Sequence, residues 1–309
     1  MKRISLILSG LLLLFGVGFG QINPSNNQYV LNPMSINPAF AGGRGALNLA
    51  SFYGKQWVGV AGSPTTITFS VDAPLADQKL GIGLIVINDK VGVTKENQFI
   101  TSYSYKIHMD NSVLSFGLGA GVILTNTAYS DLIVIDPGDE IYMQDTKTYA
   151  VPSFSFGIHY QVGTYFAGIS IPKFLNYSFD FSKNKYLLDN DFSRYNYLFN
   201  TGYTFNAGKN FKIFPSVLLR YSSIPSDNTF SWDFNAHVGY IDKFWIGGSY
   251  RNNRTFATLL QFQPNDQLKI AYTYNFEVSQ LGRYSNGSHE IMLRYQFTYK
   301  VDALNPLIF

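Results

Sequence analysis

A run of alternate glycines, Gly117-Leu118-Gly119-Ala120-Gly121, has the composition of a loop that cradles phosphate. Such a loop sits between a strand and a helix, where its backbone N–H groups turn toward the anion. Here the residues between the glycines form an apolar face and no helical pattern follows, so the run belongs to a strand. His289-Glu290-Ile291-Met292 lacks the second histidine of a zinc-binding helix, and the histidines at 108, 159, 237 and 289 have no ligand spacing. Asp131, Asp136, Asp139, Glu140 and Asp145 lie in one segment around Pro137-Gly138, but their spacing departs from a calcium loop and suits a solvated surface loop. A lipase or protease would need a nucleophile or an acid pair at one rim, and none is visible. The chain reads as a non-enzyme without cofactor or metal.

The elements that must carry these residues are strands. Leu114, Phe116, Leu118, Ala120, Val122 and Leu124 alternate with Ser115, Gly117, Gly119 and Gly121, a period of two that only Val113 and Ile123 blur. Phe230 to Tyr240 and Glu290 to Tyr299 repeat the pattern. Fourteen such segments follow: 44–53, 64–72, 79–88, 98–107, 112–124, 150–160, 163–171, 194–206, 211–221, 229–240, 243–251, 255–263, 268–276 and 289–299. Most have the roughly 9–11 residues of a tilted transmembrane strand. No gap after an even-numbered segment is longer than the six residues 73–78, whereas odd-numbered segments are followed by 54–63, 89–97, 125–149, 172–193, 222–228, 252–254 and 277–288, of which only 252–254 is as short as a turn. Alternation of short turns and long loops is the mark of a closed up-and-down antiparallel barrel in an outer membrane. With short turns in the periplasm, both termini are expected there. Pro215 falls inside the ninth segment, which predicts either a strand starting near it or a bulge.

The inward face of this expected barrel holds Lys106, Arg220, Asp233, His237, Glu290 and Arg294 among Ser, Thr, Asn and Gly. Its glycines leave room for something packed inside, the N-terminal segment or a loop, or serve curvature.

Composition fits the same reading. Charged residues are 14% of the 309, against about 25% in soluble domains. Aromatics reach 17%, with 26 Phe and 22 Tyr, as interfacial girdles require. Met1 to Gly20 has the positive start, apolar core and small-residue cleavage site of a signal peptide, and beyond it no run approaches the ~20 apolar residues of a spanning helix. Without Lys2 and Arg3 the chain carries 21 basic and 20 acidic residues, a net +1, which argues against nucleic acid as partner. With no cysteine there is neither a lipoprotein anchor nor a disulfide framework. The expected order is signal peptide 1–20, a plug or periplasmic segment 21–43, barrel 44–300 and tail 301–309.

The segment before the first strand contains two Asn-Pro steps, Asn32-Pro33 and Asn37-Pro38, which start turns and restrict the backbone. Leu31-Asn-Pro-Met-Ser-Ile-Asn-Pro-Ala-Phe-Ala-Gly42 resembles the opening of the PorP/SprF family of type IX secretion system membrane proteins. Gln56-Trp57-Val58-Gly59, Gly62-Ser63-Pro64-Thr65, Asn88-Asp89-Lys90-Val91-Gly92, Ser115-Phe116-Gly117-Leu118 and Gly287-Ser288-His289-Glu290-Ile291 resemble further pieces of that family, in order along the chain. The ending Asn305-Pro306-Leu307-Ile308-Phe309 departs from the Pro-Arg-Tyr-Phe of many members.

The resemblance implies an outer-membrane barrel, surrounded by lipid and lipopolysaccharide, that serves secretion and surface display. It implies partners among type IX secretion components, in the periplasmic ring or associated with peptidoglycan, and the sorting domain of a secreted adhesin such as a gliding adhesin. Candidate family-motif or partner-contact residues are Asn32, Pro33, Asn37, Pro38, Gly42, Gln56, Trp57, Gly59, Asn88, Asp89, His289 and Glu290. Phe174, Tyr177, Phe179 and Phe181 join them, because loop 172–193 is long and unusually aromatic. Its rings either grip a partner or fold over the barrel mouth. The alternative is a channel resembling the FadL-type hydrophobe transporters, which share fourteen strands and an N-terminal plug.

Overall fold

Alternating residues force a choice of face, and here the choice is inverted relative to a soluble protein. On β5 (Ser112–Thr127) Phe116 and Leu118 are exposed, whereas Ser115, Gly117 and Gly119 are buried. In β2 (Thr65–Leu75) Thr66, Thr68, Ser70 and Asp72 are buried, with Ile67 and Phe69 outside. Such a sheet is stable only if it closes with its polar face inward and hydrocarbon outside.

The computed structural model describes residues 27–75, 78–131, 145–180, 185–192, 195–224, 227–278 and 281–297. The expected signal peptide 1–20 and tail 301–309 lie outside the described residues. The remaining strands are β1 (Leu47–Lys55), β3 (Leu80–Val91), β4 (Thr94–Met109), β6 (Tyr149–Val162), β7 (Tyr165–Ile171), β8 (Asn176–Asp180), β9 (Lys185–Asp189), β10 (Asn196–Tyr203) and β11 (Phe205–Ala207). They continue with β12 (Phe211–Ile224), β13 (Asp227–Tyr240), β14 (Phe244–Arg251), β15 (Thr255–Phe262), β16 (Leu268–Glu277) and β17 (Ser288–Phe297). Every neighbour in the barrel is antiparallel and consecutive, and closure is made by β1 on β17, so the barrel has fourteen strands with β10 and β11 counted as one. The fold is that of an outer-membrane β-barrel, and none of the described helices is long enough to cross a membrane.

Pro215 causes neither a late start nor a bulge. β12 runs through it, paired with Ala236 on β13. On its other side the partner strand breaks between β10 and β11, with the same register above and below the break. The ladder therefore skips the position where proline has no N–H to give.

Two expected loops are shorter because strands project past the lipid. Segment 89–97 shrinks to the turn Gly92-Val93, as Asp89, Lys90, Lys95 and Glu96 continue the β3–β4 ladder with polar side chains. Segment 222–228 shrinks in the same way, since β12 and β13 pair out to Ile224 and Asp227. Loop 172–193 holds an unforeseen hairpin, β8–β9.

The interior is filled from the N-terminal side. Residues 27–43 form a one-turn helix α1 (Gln28–Leu31) and two 3-10 turns, Pro33–Ser35 and Pro38–Phe40. Each proline stands at the first helical position, where its missing N–H costs nothing. All three buried apolar clusters among the described residues join this segment to the wall: Leu31 with Phe52, Ala271 and Met292; Tyr29, Val30 and Ile36 with Leu198 and Leu218; Met34, Phe40 and Ala41 with Ile85. The apolar core of this barrel is its plug.

Candidate functional site

The plug runs along the lumen from one mouth to the other. At the long-loop end the Asn27 N–H meets both oxygens of Glu290, at 3.1 and 3.3 Å, while the Asn27 side chain donates to Asn275. At the short-turn end the Gly42 N–H donates to Asp72 at 3.1 Å, and the Gly42 carbonyl accepts from Lys106 Nζ at 2.6 Å.

Between these ends the two Asn-Pro steps provide the anchors. Asn37 is fully buried; its amide donates to the carbonyls of Ile158 (3.1 Å) and Ile169 (3.3 Å), and its oxygen accepts the Ala39 N–H at 2.9 Å. Asn32 donates to Ser70 Oγ at 3.0 Å. Pro33 and Pro38 fix the turns that follow, and Gly42 takes φ +61°, where a side chain would also meet Ala73 and Gly81. Gly117 and Gly157 are the wall's answer: a Cβ at the first would overlap Ala39 N, and at the second Asn37 Oδ1. Gly119 and Gly121 instead meet atoms of the neighbouring strands, Ser155 and Phe99. Room for a plug and close strand packing are therefore divided among glycines of one face.

One plug side chain reaches the far wall. Tyr29 Oη donates to Asp233 at 3.0 Å and accepts from Asn235 at 3.1 Å. Asp233 is held by forks of bonds from Arg220 and Arg251 at 2.7–2.9 Å. Burial, followed by the Asp233 charge, pushes the Tyr29 phenol above its ordinary value, so it remains a donor. Tyr29, Arg251 and Asp72 are not singled out by sequence reasoning. Inward parity on their strands was the available signal for Asp72 and Arg251; for Tyr29 there was none beyond its nearness to Asn32.

The other motif residues assemble at the long-loop mouth. Trp57 has φ +43°, rare for a bulky residue, and is held by its N–H on Ser288 Oγ (3.1 Å) and its indole on Glu277 (2.9 Å). Val58 exchanges backbone bonds with Gly287 and Asn286 at 2.8 and 2.7 Å. Gly59 faces Asn286, and the Gln56 N–H closes the loop on Pro64 O at 2.9 Å. Asn88 donates to Asn97 at 2.7 Å, and Asp89 accepts from Thr66 at 2.7 Å. His289 lies on the opposite face of β17 from Glu290, bonded to the Tyr272 hydroxyl at 2.7 Å. The first and last loops are thus clasped together, with Glu290 linking clasp to plug.

Of the aromatic loop, Tyr177 donates to Glu96 at 3.0 Å and carries Lys173 over its ring at 4.0 Å. Glu96 shares the inward parity of Ser102 and Ser104, so the hairpin folds over one side of the mouth. Phe174 packs edge-on against the buried Tyr195 at 5.4 Å. Phe179 stands opposite Tyr186 in the hairpin register, and Phe181 lies outside the described residues. Leu187, Leu188 and Phe192 remain exposed at this end. Most of the acidic loop, 132–144, also lies outside the described residues. Among the described residues no three His, Asp or Glu side chains converge as metal ligands.

The barrel is similar to solved structures of other barrels. One is the CymD monoaromatic hydrocarbon channel, at 12% identity and TM-score 0.50, covering 93% of this chain and 99% of that one. Another is the toluene transporter TbuX of Ralstonia pickettii, at 9% identity and TM-score 0.51, covering 85% of this chain and 92% of that one. At such identities the likeness concerns the fold. No curated protein matches the sequence. The family described as type IX secretion system membrane protein PorP/SprF matches residues 18–295, nearly the whole chain including the plug and every barrel strand. This chain belongs to the PorP/SprF family of type IX secretion system membrane proteins.

Proposed function

We propose that this protein is a plugged outer-membrane barrel that supports secretion or surface anchoring of sorting-domain proteins such as gliding adhesins, without catalysing a reaction. Family membership supports the secretion role. The observation that carries the reading is the plug, bonded from Asn27 to Gly42 along the lumen, which suits a holding device better than an open pore. With short turns toward the periplasm, the start of β1 and the end of β17 are assigned to that side, the plug's beginning at Asn27 stands at the outer mouth, export by the signal peptide 1–20 precedes insertion, and the clasp and hairpin face outward. The rim built by Gln56, Trp57, Gly59, Asn88, Asp89 and His289, with exposed Leu187, Leu188 and Phe192, is the proposed seat for a partner's sorting domain. The backbone strain at Trp57 supports that assignment, since such strain concentrates where a surface is held for binding. The periplasmic ring or a peptidoglycan-associated component is proposed to meet the short-turn end, and lipid and lipopolysaccharide surround the belt.

Deleting the gene and assaying surface display of every sorting-domain protein tests this: loss of at least one is expected, and unchanged display of all refutes it. A transport function is the second reading, favoured by a cavity of about 320 Å³ left beside the plug. Uptake of a small apolar solute by liposomes holding the pure protein, with display intact in the deletion strain, would select it instead.

A further inference from the structure

The cavity beside the plug is built unlike the rest of the lumen. About 320 Å³ in volume, it lies toward the short-turn end, between the plug and strands β10 to β17. Phe40, Phe166, Phe214, Trp245 and Leu259 give it apolar walls. An adjoining cavity of about 500 Å³, which shares Phe40, Phe166 and Thr204 and reaches the β6–β7 turn, supplies an approach from that end.

Three cations line the first cavity: Arg44, Lys269 and Arg294. Lys269 and Arg294 stand directly opposite each other across the β16–β17 ladder, an arrangement that destabilises a sheet unless an anion is shared. The carboxylate serving this cluster is Asp72, 3.7 Å from Arg44 and already engaged with the Gly42 N–H. Arg44 and Arg294 spend one nitrogen each on the Leu31 carbonyl, at 2.9 and 3.4 Å, and Lys269 makes no hydrogen bond or ion pair among the described residues, its attractive charge being Asp242, which already pairs with Lys212. His237, only 2% exposed and also lining the cavity, has both ring nitrogens without a hydrogen bond. Buried polar groups normally find a hydrogen-bond partner in protein or ordered water, so this imidazole leaves two positions open toward the cavity. The size falls in the range of small-molecule sites, where apolar walls hold a body and a few polar groups fix its orientation.

We propose that this cavity binds an organic carboxylate with an aromatic or short acyl body, its charge held between Lys269 and Arg294 and its apolar part against Phe214 and Trp245. The carboxylate accepts from the Lys269 ammonium and the free Arg294 nitrogens, and the His237 ring lies within the same enclosure. Either a free acid or the C-terminal carboxylate of a peptide supplies this chemistry. The site stands apart from the outer rim and does not depend on the secretion role.

Equilibrium dialysis of the full chain in detergent against labelled 3-phenylpropanoate tests the proposal. Saturable binding is expected, at least tenfold tighter than for the neutral 3-phenylpropanamide. The peptide Ala-Ala-Phe, with a free or amidated terminus, separates the two sources: tighter binding of the peptide acid assigns a protein terminus, and tighter binding of the free acid a small molecule. Lys269→Gln removes a cation that donates to no group among the described residues, and a tenfold or greater loss is expected with the barrel still resisting SDS before heating. Lys95→Gln, an exposed cation of the β3–β4 hairpin at the opposite mouth, leaves binding unchanged. Absence of binding, equal binding of acid and amide, or full binding by Lys269→Gln would overturn the assignment.

Discussion

At the scale of single residues the plug is held by complementarity between a polar chain and a wall cleared of side chains. Asn37 satisfies two wall carbonyls and one plug N–H at once, so it acts as a rivet rather than as surface decoration. Its partner in shape is Gly157, against whose bare backbone the Asn37 side chain lies directly. Gly157→Val is expected to displace Asn37 and leave those groups unpaired, at a cost of about 1–3 kcal/mol for each group stranded in a dry interior. Proteolysis of intact outer membranes checks this: the plug of the variant should be cut under conditions where the wild type survives. Gly163, in the β6–β7 turn with nothing near a built Cβ, is a control for the added side chain, although its positive φ restricts the choice to Asn.

Elements carry the second layer of the account. The strand pattern was legible because a membrane barrel exposes period two so plainly: Leu118 out and Gly117 in follow from the sequence alone. What lay hidden was where strands stop once they leave lipid. Beyond Asn88 the β3–β4 hairpin continues with polar residues on both faces, and a two-sided polar ladder looks like a loop in sequence. The hairpin β8–β9 was equally hidden, since it rests on a contact between Tyr177 and Glu96, far apart in the chain. The Asn-Pro segment was recognisable as compact, yet its destination depends on partners such as Ile158 and Ile169 that no local pattern reveals. Two predictions belong here. Leu118, the outward residue of β5 with 62% of its surface exposed, should tolerate arginine poorly. Leu118→Arg, near the middle of β5, is expected to lose about 2–4 kcal/mol by denaturant unfolding from lipid vesicles. A soluble protein would barely notice that change. Tyr177→Phe, which removes only the hydroxyl on Glu96, should raise the rate of protease nicking in the β8–β9 hairpin while leaving the barrel's thermal transition within experimental error.

For the molecule as a whole, an inverted distribution of polarity and a lumen occupied along its length go together. Inside, charges are paired or bonded around the plug, as in the Arg220–Asp233–Arg251 group that grips Tyr29, with Lys269 in the cationic cavity as the exception. Outside, the belt is apolar and aromatic. The two mouths differ in kind: one is clasped by the first and last loops and partly roofed by a hairpin, and the other opens into the cationic cavity. A holding device needs a firm outer rim and a closed lumen: the clasped first and last loops make the rim, and the N-terminal segment that carries the Asn-Pro steps closes the lumen. The most direct measurement is electrical. Full-length protein reconstituted in a planar bilayer is expected to show no stable ohmic steps, whereas Gly157→Val, with its plug displaced, should conduct. Steady, long-lived conductance by the intact protein, unchanged by that substitution, would contradict the plugged barrel.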